Sequence, residues 1–237
     1  MKAQWKKAAR DLSIMQGTWA AWLLGVVLIG YIGAHIMLRI PAFAGFINET
    51  GLITFGFHEL VWNAMNIFML VIGIMSCYAF LEMFVGFGVT RRSYYKASIT
   101  SALLLVAFVN TAGFAVSPLL SVLLGFGGPF SWGMEAALLP AYMLTAFIYY
   151  LAGWIISVGF YRWQLSGGFA SIAIALVILT VTDRFWNLDK PVPFLSAFFD
   201  LNLAQGAWLA AAVSLLFGAA ALTGIRKAVY NIPVKVK

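Results

Sequence analysis

The stretch Gly86-Phe-Gly-Val-Thr-Arg-Arg-Ser-Tyr-Tyr-Lys96 decides the fold, because it is a short basic segment between two long apolar runs. The glycines at its start end a helix and permit a sharp turn. The apolar flanks predict that the segment lies at a membrane surface, and its positive charge predicts the cytosolic side. The chain is therefore expected to cross a membrane on either side of it.

Composition supports an all-α integral membrane protein. Of the 237 residues, 63% are hydrophobic and 10% are charged, whereas soluble domains carry about 25% charged residues. A membrane span needs about 20 apolar residues. Six transmembrane helices are predicted, at about residues 18–38, 59–81, 97–120, 134–160, 169–182 and 204–225. The remaining chain is too short for a sizeable soluble domain.

The distribution of charge predicts the orientation. With both termini inside, the cytosolic segments hold twelve of the fifteen basic residues, and most acidic residues fall on the outer side. Short loops rich in lysine and arginine stay cytosolic. The basic charge is thus assigned to topology and to contact with anionic membrane lipid, and no nucleic-acid partner is expected. The cytosolic basic residues are Lys2, Lys6, Lys7, Arg10, Arg91, Arg92, Lys96, Arg162, Arg226, Lys227, Lys235 and Lys237.

The N-terminal segment has the pattern of an amphipathic helix. Apolar residues recur from Met1 to Met15 at spacings of three and four, and basic residues occupy the opposite face. We predict an elbow helix over 1–16 in the cytosolic interface, which turns near residues 16–17 into a membrane domain over 17–228. Two interpretations fit this pattern. The segment is a generic membrane anchor, or it is an elbow helix that orients the first span and borders the loop at Gly86. The elbow residues are Trp5, Lys6, Lys7 and Arg10.

Within the loop over 86–97, Thr90 is placed to cap a short helix. On that helix Arg91 and Tyr95 share one face, and arginine with tyrosine is typical of interface hot spots. A plain positive-inside loop with interfacial tyrosines is the alternative. Glu82, at the end of the second span, either pairs with one of the two arginines or faces a partner.

The segment Gly88-Val89-Thr90-Arg91-Arg92-Ser93-Tyr94-Tyr95 resembles a motif of ABC-2-type transporter permeases. The resemblance implies a six-span, type V exporter-like permease fold, in which this motif forms the coupling helix that docks on an ATPase. Site residues implied for that contact are Gly88, Val89, Thr90, Arg91, Arg92, Tyr94, Tyr95, Lys96 and Glu82.

The same resemblance implies the partners and the activity. The sequence has no phosphate-binding loop, so the chain itself is not expected to be an enzyme, and ATP with Mg is assigned to a separate ABC ATPase, present in two copies. A second permease copy, in a homodimer or heterodimer, completes the complex. The implied function is export of an amphipathic peptide, lipid or drug-like molecule across a bacterial plasma membrane. The alternative is a non-transport membrane protein for assembly, sensing or immunity.

Polar residues inside the spans have two interpretations, helix–helix hydrogen bonds or a substrate path. In the resembled family spans two and five line the path, which points to Asn63, Asn66, Thr180 and Thr182. The outer segment over 186–204 is predicted as a short re-entrant or interfacial helix with Phe194, Phe198 and Leu201 facing inward, or as a simple aromatic loop. The resemblance implies that such a helix forms an extracellular lid over the path. A basic tail over 229–237 is expected to be cytosolic.

Several features exclude other classes of site. His35 and His58 lie on different spans without a third ligand at suitable spacing, so no metal or haem site is predicted. Cys77 is the one cysteine and forms no internal disulfide. Mid-membrane ionisable residues, typical of ion-coupled transporters, are not expected. The glycines at 30, 33 and 153 predict close helix contacts.

Overall fold

The computed structural model describes residues 4–42, 45, 56–124, 132–186 and 207–231, and within these ranges all regular structure is helical. The helices are α1 (Gln4–Leu38), α2 (Phe57–Gly86), α3 (Arg91–Leu124), α4 (Trp132–Phe185) and α5 (Ala207–Tyr230). Five described helices are long and apolar enough to cross a membrane. The predicted all-helical architecture is thus confirmed for the described residues, and it is compatible with a helical membrane protein.

Helix α4 consists of two arms that lie side by side. The backbone leaves helical geometry at Gln164 (φ 56°, ψ −143°), and the chain folds back, so that the Tyr149 hydroxyl donates to Asp183 Oδ2 at 2.8 Å. The fold-back needs glycine at 159, because a Cβ there would collide with the Ser171 side chain. The predicted segments at 134–160 and 169–182 fall on these two arms.

Neighbouring helices pack with alternating directions. Trp19 lies 6.1 Å from Phe80 and Tyr31 lies 5.4 Å from Phe57, between ring centroids, so α1 and α2 are antiparallel. Val61 lies against Gly113, and Ser76 is bonded to Tyr94, so α2 and α3 are antiparallel as well. Helices α1 and α3 therefore run in the same direction.

One end of the bundle gathers the positive charge. It contains the start of α1 and the turn between α2 and α3. The break at Gln164 lies at the same end, because α2 runs parallel to the first arm of α4. The end of α5 lies there too, since Arg91 donates to Tyr230 O. We call it the basic end. Its described cations are Lys6, Lys7, Arg10, Arg91, Arg92, Lys96, Arg162, Arg226 and Lys227.

The predicted turn at residues 16–17 is wrong. Helix α1 is unbroken over 35 residues, a length of about 52 Å, which exceeds the about 30 Å thickness of a hydrocarbon core. Gln16 is buried and accepts a hydrogen bond from Ser101 Oγ at 2.8 Å, which holds this point of α1 against α3. Elbow residues 4–16 are thus the first turns of the same helix as the predicted first span.

The closest helix contact joins α2 to the first arm of α4. A Cβ at Gly73 or Gly153 would collide with backbone atoms of the opposite helix, so the close approach predicted for Gly153 is confirmed. Around it lie fully buried side chains that include Met69 and Trp154. At Gly30 and Gly33 a Cβ would meet no described atom within 4 Å, so the predicted close contact there is not found among the described residues.

Candidate docking surface and polar sites

Residues 84–96, which we call the tip, turn sharply at Gly88. The amide of Gly88 donates to Val85 O and that of Val89 to Phe84 O, each at 2.9 Å, which is the hydrogen-bond pattern of a Schellman motif. Gly88 has a φ of +79°, a conformation in which a Cβ is unfavourable. The glycine turn predicted from the sequence is confirmed.

Thr90 caps the helix that follows. The backbone amide of Ser93 donates to Thr90 Oγ1 at 3.2 Å, which satisfies one of the free amides of the first turn. The predicted cap is therefore confirmed. The predicted separate short helix is wrong, because α3 continues from Arg91 to Leu124 without a break.

The inner side of the tip is bonded to two other helices. The buried Tyr94 hydroxyl donates to Ser76 O in α2, and the Tyr95 hydroxyl donates to Leu222 O in α5 at 2.9 Å. Arg91 Nη1 donates to Tyr230 O at 3.4 Å. Arg91 and Tyr95 therefore share one face, as predicted, but that face packs on α5. Burial removes both tyrosines from any docking surface in this arrangement.

The exposed side of the tip carries other residues. Phe87 is 79% exposed, and Thr90, Arg92 and Lys96 are exposed as well. The Arg92 guanidinium lies 5.6 Å from the centre of the Tyr230 ring. An exposed phenylalanine and exposed cations on one short segment offer a partner an apolar anchor and positive charge.

The tip and the start of α1 enclose a cleft of about 330 Å³. This tip cleft confirms the prediction that the N-terminal helix borders the loop at Gly86. Its α1 side includes one cation, Lys7, and one carboxylate, Asp11. Glu82 is half-buried, and the described residues show no ion pair between it and Arg91 or Arg92, so the predicted pairing is not found. The cleft is lined by Gln4, Lys7, Ala8, Asp11, Phe84, Phe87, Gly88 and Val89.

A π-helical turn at Ser76–Leu81 interrupts α2 close to the tip. The Cys77 amide donates to Ser157 Oγ of α4 at 3.0 Å, and Ser76 O accepts from Tyr94. Such turns are frequent at functional sites. Sequence analysis missed it, since Ser76-Cys77 in an otherwise apolar run was the only local sign.

The four predicted path residues form no hydrogen bonds with one another. Asn63 Nδ2 donates to Glu59 O and Thr182 Oγ1 to Ile178 O, both within their own helix. The buried Asn66 Oδ1 and Thr180 Oγ1 lack a hydrogen-bond partner among the described residues. Two of the four thus have unused hydrogen-bonding capacity.

Asp183 is a buried acid within the second arm of α4, 4% exposed. Its Oδ2 accepts from Tyr149, whereas its Oδ1 has no hydrogen-bond partner in the described structure. Buried acids within spans are costly and usually functional. The sequence pattern placed Asp183 at the outer end of a span, and the position of Tyr149, 34 residues earlier, gave no sign of this contact.

The two histidines are engaged separately. His35 Nδ1 lies 2.9 Å from Tyr31 O, and His58 Nδ1 lies 3.3 Å from Ser117 Oγ. In the described ranges no three histidine, cysteine, aspartate or glutamate side chains group as a metal site would need. The predicted lid residues Phe194, Phe198 and Leu201, and most of the tail over 229–237, lie outside the described residues.

No family model, curated protein or solved structure matches this chain.

Proposed function

We propose that this chain is the permease subunit of an ATP-driven exporter of the ABC-2 type, with the tip as docking surface for a separate ATPase. The supporting observation is the two-sided character of the tip. Its outer side exposes Phe87 and Arg92, while its inner side is hydrogen-bonded to α2 and α5. A force applied to the outside is thereby passed to two membrane helices.

Six membrane crossings are part of the proposal. The break at Gln164 divides α4 into two antiparallel arms, and each arm has more than the about 20 residues that a span requires. Six crossings place both termini on one side with the tip. The cations of the basic end make that side cytosolic by the positive-inside rule.

The π turn of α2 supplies the moving part in this proposal. Tyr94 of the tip bonds Ser76 at the start of the turn, and Ser157 of α4 bonds the next residue. A shift of the tip would change the π turn and with it the remainder of α2. ATP would favour the outward-open state only to the extent that the ATPase pair binds it better in that state.

The substrate proposed is amphipathic, and a second permease copy completes the path. Asn66, Thr180 and Asp183 are buried polar groups with unused acceptor or donor atoms, surrounded by apolar helices. Such sparse polarity suits an amphipathic peptide or lipid better than a sugar or an ion.

The first test is copurification from the native membrane. The detergent-solubilised chain is isolated, and ATPase activity is measured in the eluate, for wild type and for the double variant Phe87→Ala, Arg92→Glu. Both side chains are exposed, so the fold should survive. Loss of an apolar anchor and reversal of a rim charge should weaken docking by about 2 kcal/mol or more, roughly 30-fold.

The matched control is Arg162→Glu, Phe169→Ala, which alters an exposed arginine and an exposed phenylalanine beside the break at Gln164, also at the basic end. It should retain the ATPase. Equal loss in both variants would contradict docking at the tip. If wild type itself brings down no ATPase, the transporter proposal fails and a non-transport membrane protein becomes the better account.

A further inference from the structure

A shallow groove of about 490 Å³ lies between the first turns of α1 and helix α3. We call it the N-terminal groove. It is separate from the tip cleft, which lies on the other side of α1 and includes Asp11. The N-terminal groove is lined by Trp5, Lys6, Ala9, Arg10, Ser13 and Ile14 of α1 and by Thr100 and Leu104 of α3.

The groove is divided into a cationic end and an apolar end. Lys6, Arg10 and Ile14 follow at intervals of four on α1, and therefore share one helix face. On α3, Lys96 precedes the lining pair Thr100 and Leu104 at the same interval. Helices α1 and α3 run in the same direction from the basic end. On both helices the cations therefore lie toward the basic end of the groove, and the apolar side chains lie toward its other end.

The register of the two helices aligns their charges. Ser101 Oγ donates to Gln16 Oε1 at 2.8 Å, which places these residues at one level. Counting back along both helices places Arg10 within about one residue of Lys96, a difference of about 1.5 Å along the axis. Arg10 and Lys96 thus lie at nearly the same level, with Lys6 one turn nearer the start of α1.

The positive charges around the groove have no acidic partner among the described residues. No acidic side chain lines it, and Lys6, Arg10 and Lys96 form no ion pair with described residues. Three cations at the edge of an apolar surface match a phosphate group that carries acyl chains.

We infer that the N-terminal groove binds one anionic phospholipid from the leaflet at the basic end. Its phosphate lies between Arg10 and Lys96. An acyl chain lies along Ile14 and Leu104, which are 58% and 56% exposed in the chain alone. The site requires only that the protein is in a membrane, and it does not depend on the transporter proposal.

Native mass spectrometry of the full chain in detergent tests the site. Bound phosphatidylglycerol is compared with bound phosphatidylcholine for wild type and for the triple variant Lys6→Gln, Arg10→Gln, Lys96→Gln. Each cation near an anionic lipid is worth about 1 kcal/mol, so each change should lower retained phosphatidylglycerol about fivefold. Retained phosphatidylcholine should change little.

The control Arg162→Gln, Arg226→Gln, Lys227→Gln removes the same charge from exposed cations of the same end, outside the groove. It should retain phosphatidylglycerol. Equal losses in the two triple variants would show diffuse attraction and overturn the site. Unchanged binding in the groove variant would overturn it too.

A second pair of variants tests the apolar end without altering charge. Ile14→Trp, Leu104→Trp fills the groove and should reduce bound phosphatidylglycerol as strongly as the triple change. Leu103→Trp, at an exposed neighbour outside the lining, should have no effect. Retention of lipid by the filled groove would show that a headgroup alone is bound, and would contradict the lipid site.

Discussion

Replacement of Gly153 by alanine should destabilise the bundle at its closest helix contact. A Cβ at this position would collide with Leu70 O and come within 3.0 Å of Gly73 Cα. These are backbone atoms, so no side-chain rotation relieves the contact and the helices must separate. Overpacking of this kind costs about 1–3 kcal/mol, and the loss of tight packing around Trp154 adds to it.

Thermal unfolding in detergent measures this effect through Cys77. It is the one cysteine of the chain and is fully buried, so a thiol-reactive fluorescent dye reports its exposure. For a chain of this size, 1 kcal/mol corresponds to about 2–4 °C in Tm. The Gly153→Ala variant should therefore melt roughly 2–12 °C below wild type.

The matched control is Gly33→Ala in α1, where an added Cβ meets no described atom within 4 Å. Alanine is a better helix former than glycine by about 1 kcal/mol, so this variant should melt at or above the wild-type temperature. A Gly153→Ala variant with wild-type Tm would refute the packing argument. A Gly33→Ala variant that melts early would show that this face of α1 is packed against something in the purified protein.

Three further predictions use the same dye assay. Gly88→Ala should cost about 1–2 kcal/mol, because alanine is strained at a φ of +79°; an unchanged Tm would mean that the turn relaxes. Tyr94→Phe should cost about 1–3 kcal/mol by leaving Ser76 O without its donor, and circular dichroism should show the helix content retained; a neutral effect would contradict this role in the π turn. Asp183→Asn should leave Tm unchanged or raise it, since an amide oxygen still accepts from Tyr149 without burying a charge; a lower Tm would indicate that the carboxylate has a charged partner.

Local features of the tip were predictable from the sequence because they depend on near neighbours. A glycine pair after an apolar helix predicts a turn, and a threonine before a helix predicts a cap; both hydrogen-bond patterns are found at Gly88 and Thr90. The burial of Tyr94 and Tyr95 was not predictable in this way. It depends on Ser76 and Leu222, which lie far away in the chain.

The unbroken helix α1 likewise combines a feature that near neighbours predict with one that depends on a residue remote in the chain. The amphipathic pattern near Trp5 correctly predicted a helix, but Gly17 is a weak helix former and suggested a turn after Gln16. The hydrogen bond from Ser101 to Gln16 makes a straight helix favourable at that point. No periodicity within residues 1–38 contains information about Ser101.

The sequence by itself determined that this is a helical membrane protein and where its cations concentrate, because hydrophobic length and loop charge act through the solvent rather than through specific partners. Only the tertiary structure decided which glycines are contacts: Gly153 meets the backbone of α2, while Gly33, in an equally apolar helix, meets nothing described. The same holds for the π turn and for the buried bond between Tyr149 and Asp183. Packing between helices selects one face of each, and that selection depends on residues remote in sequence.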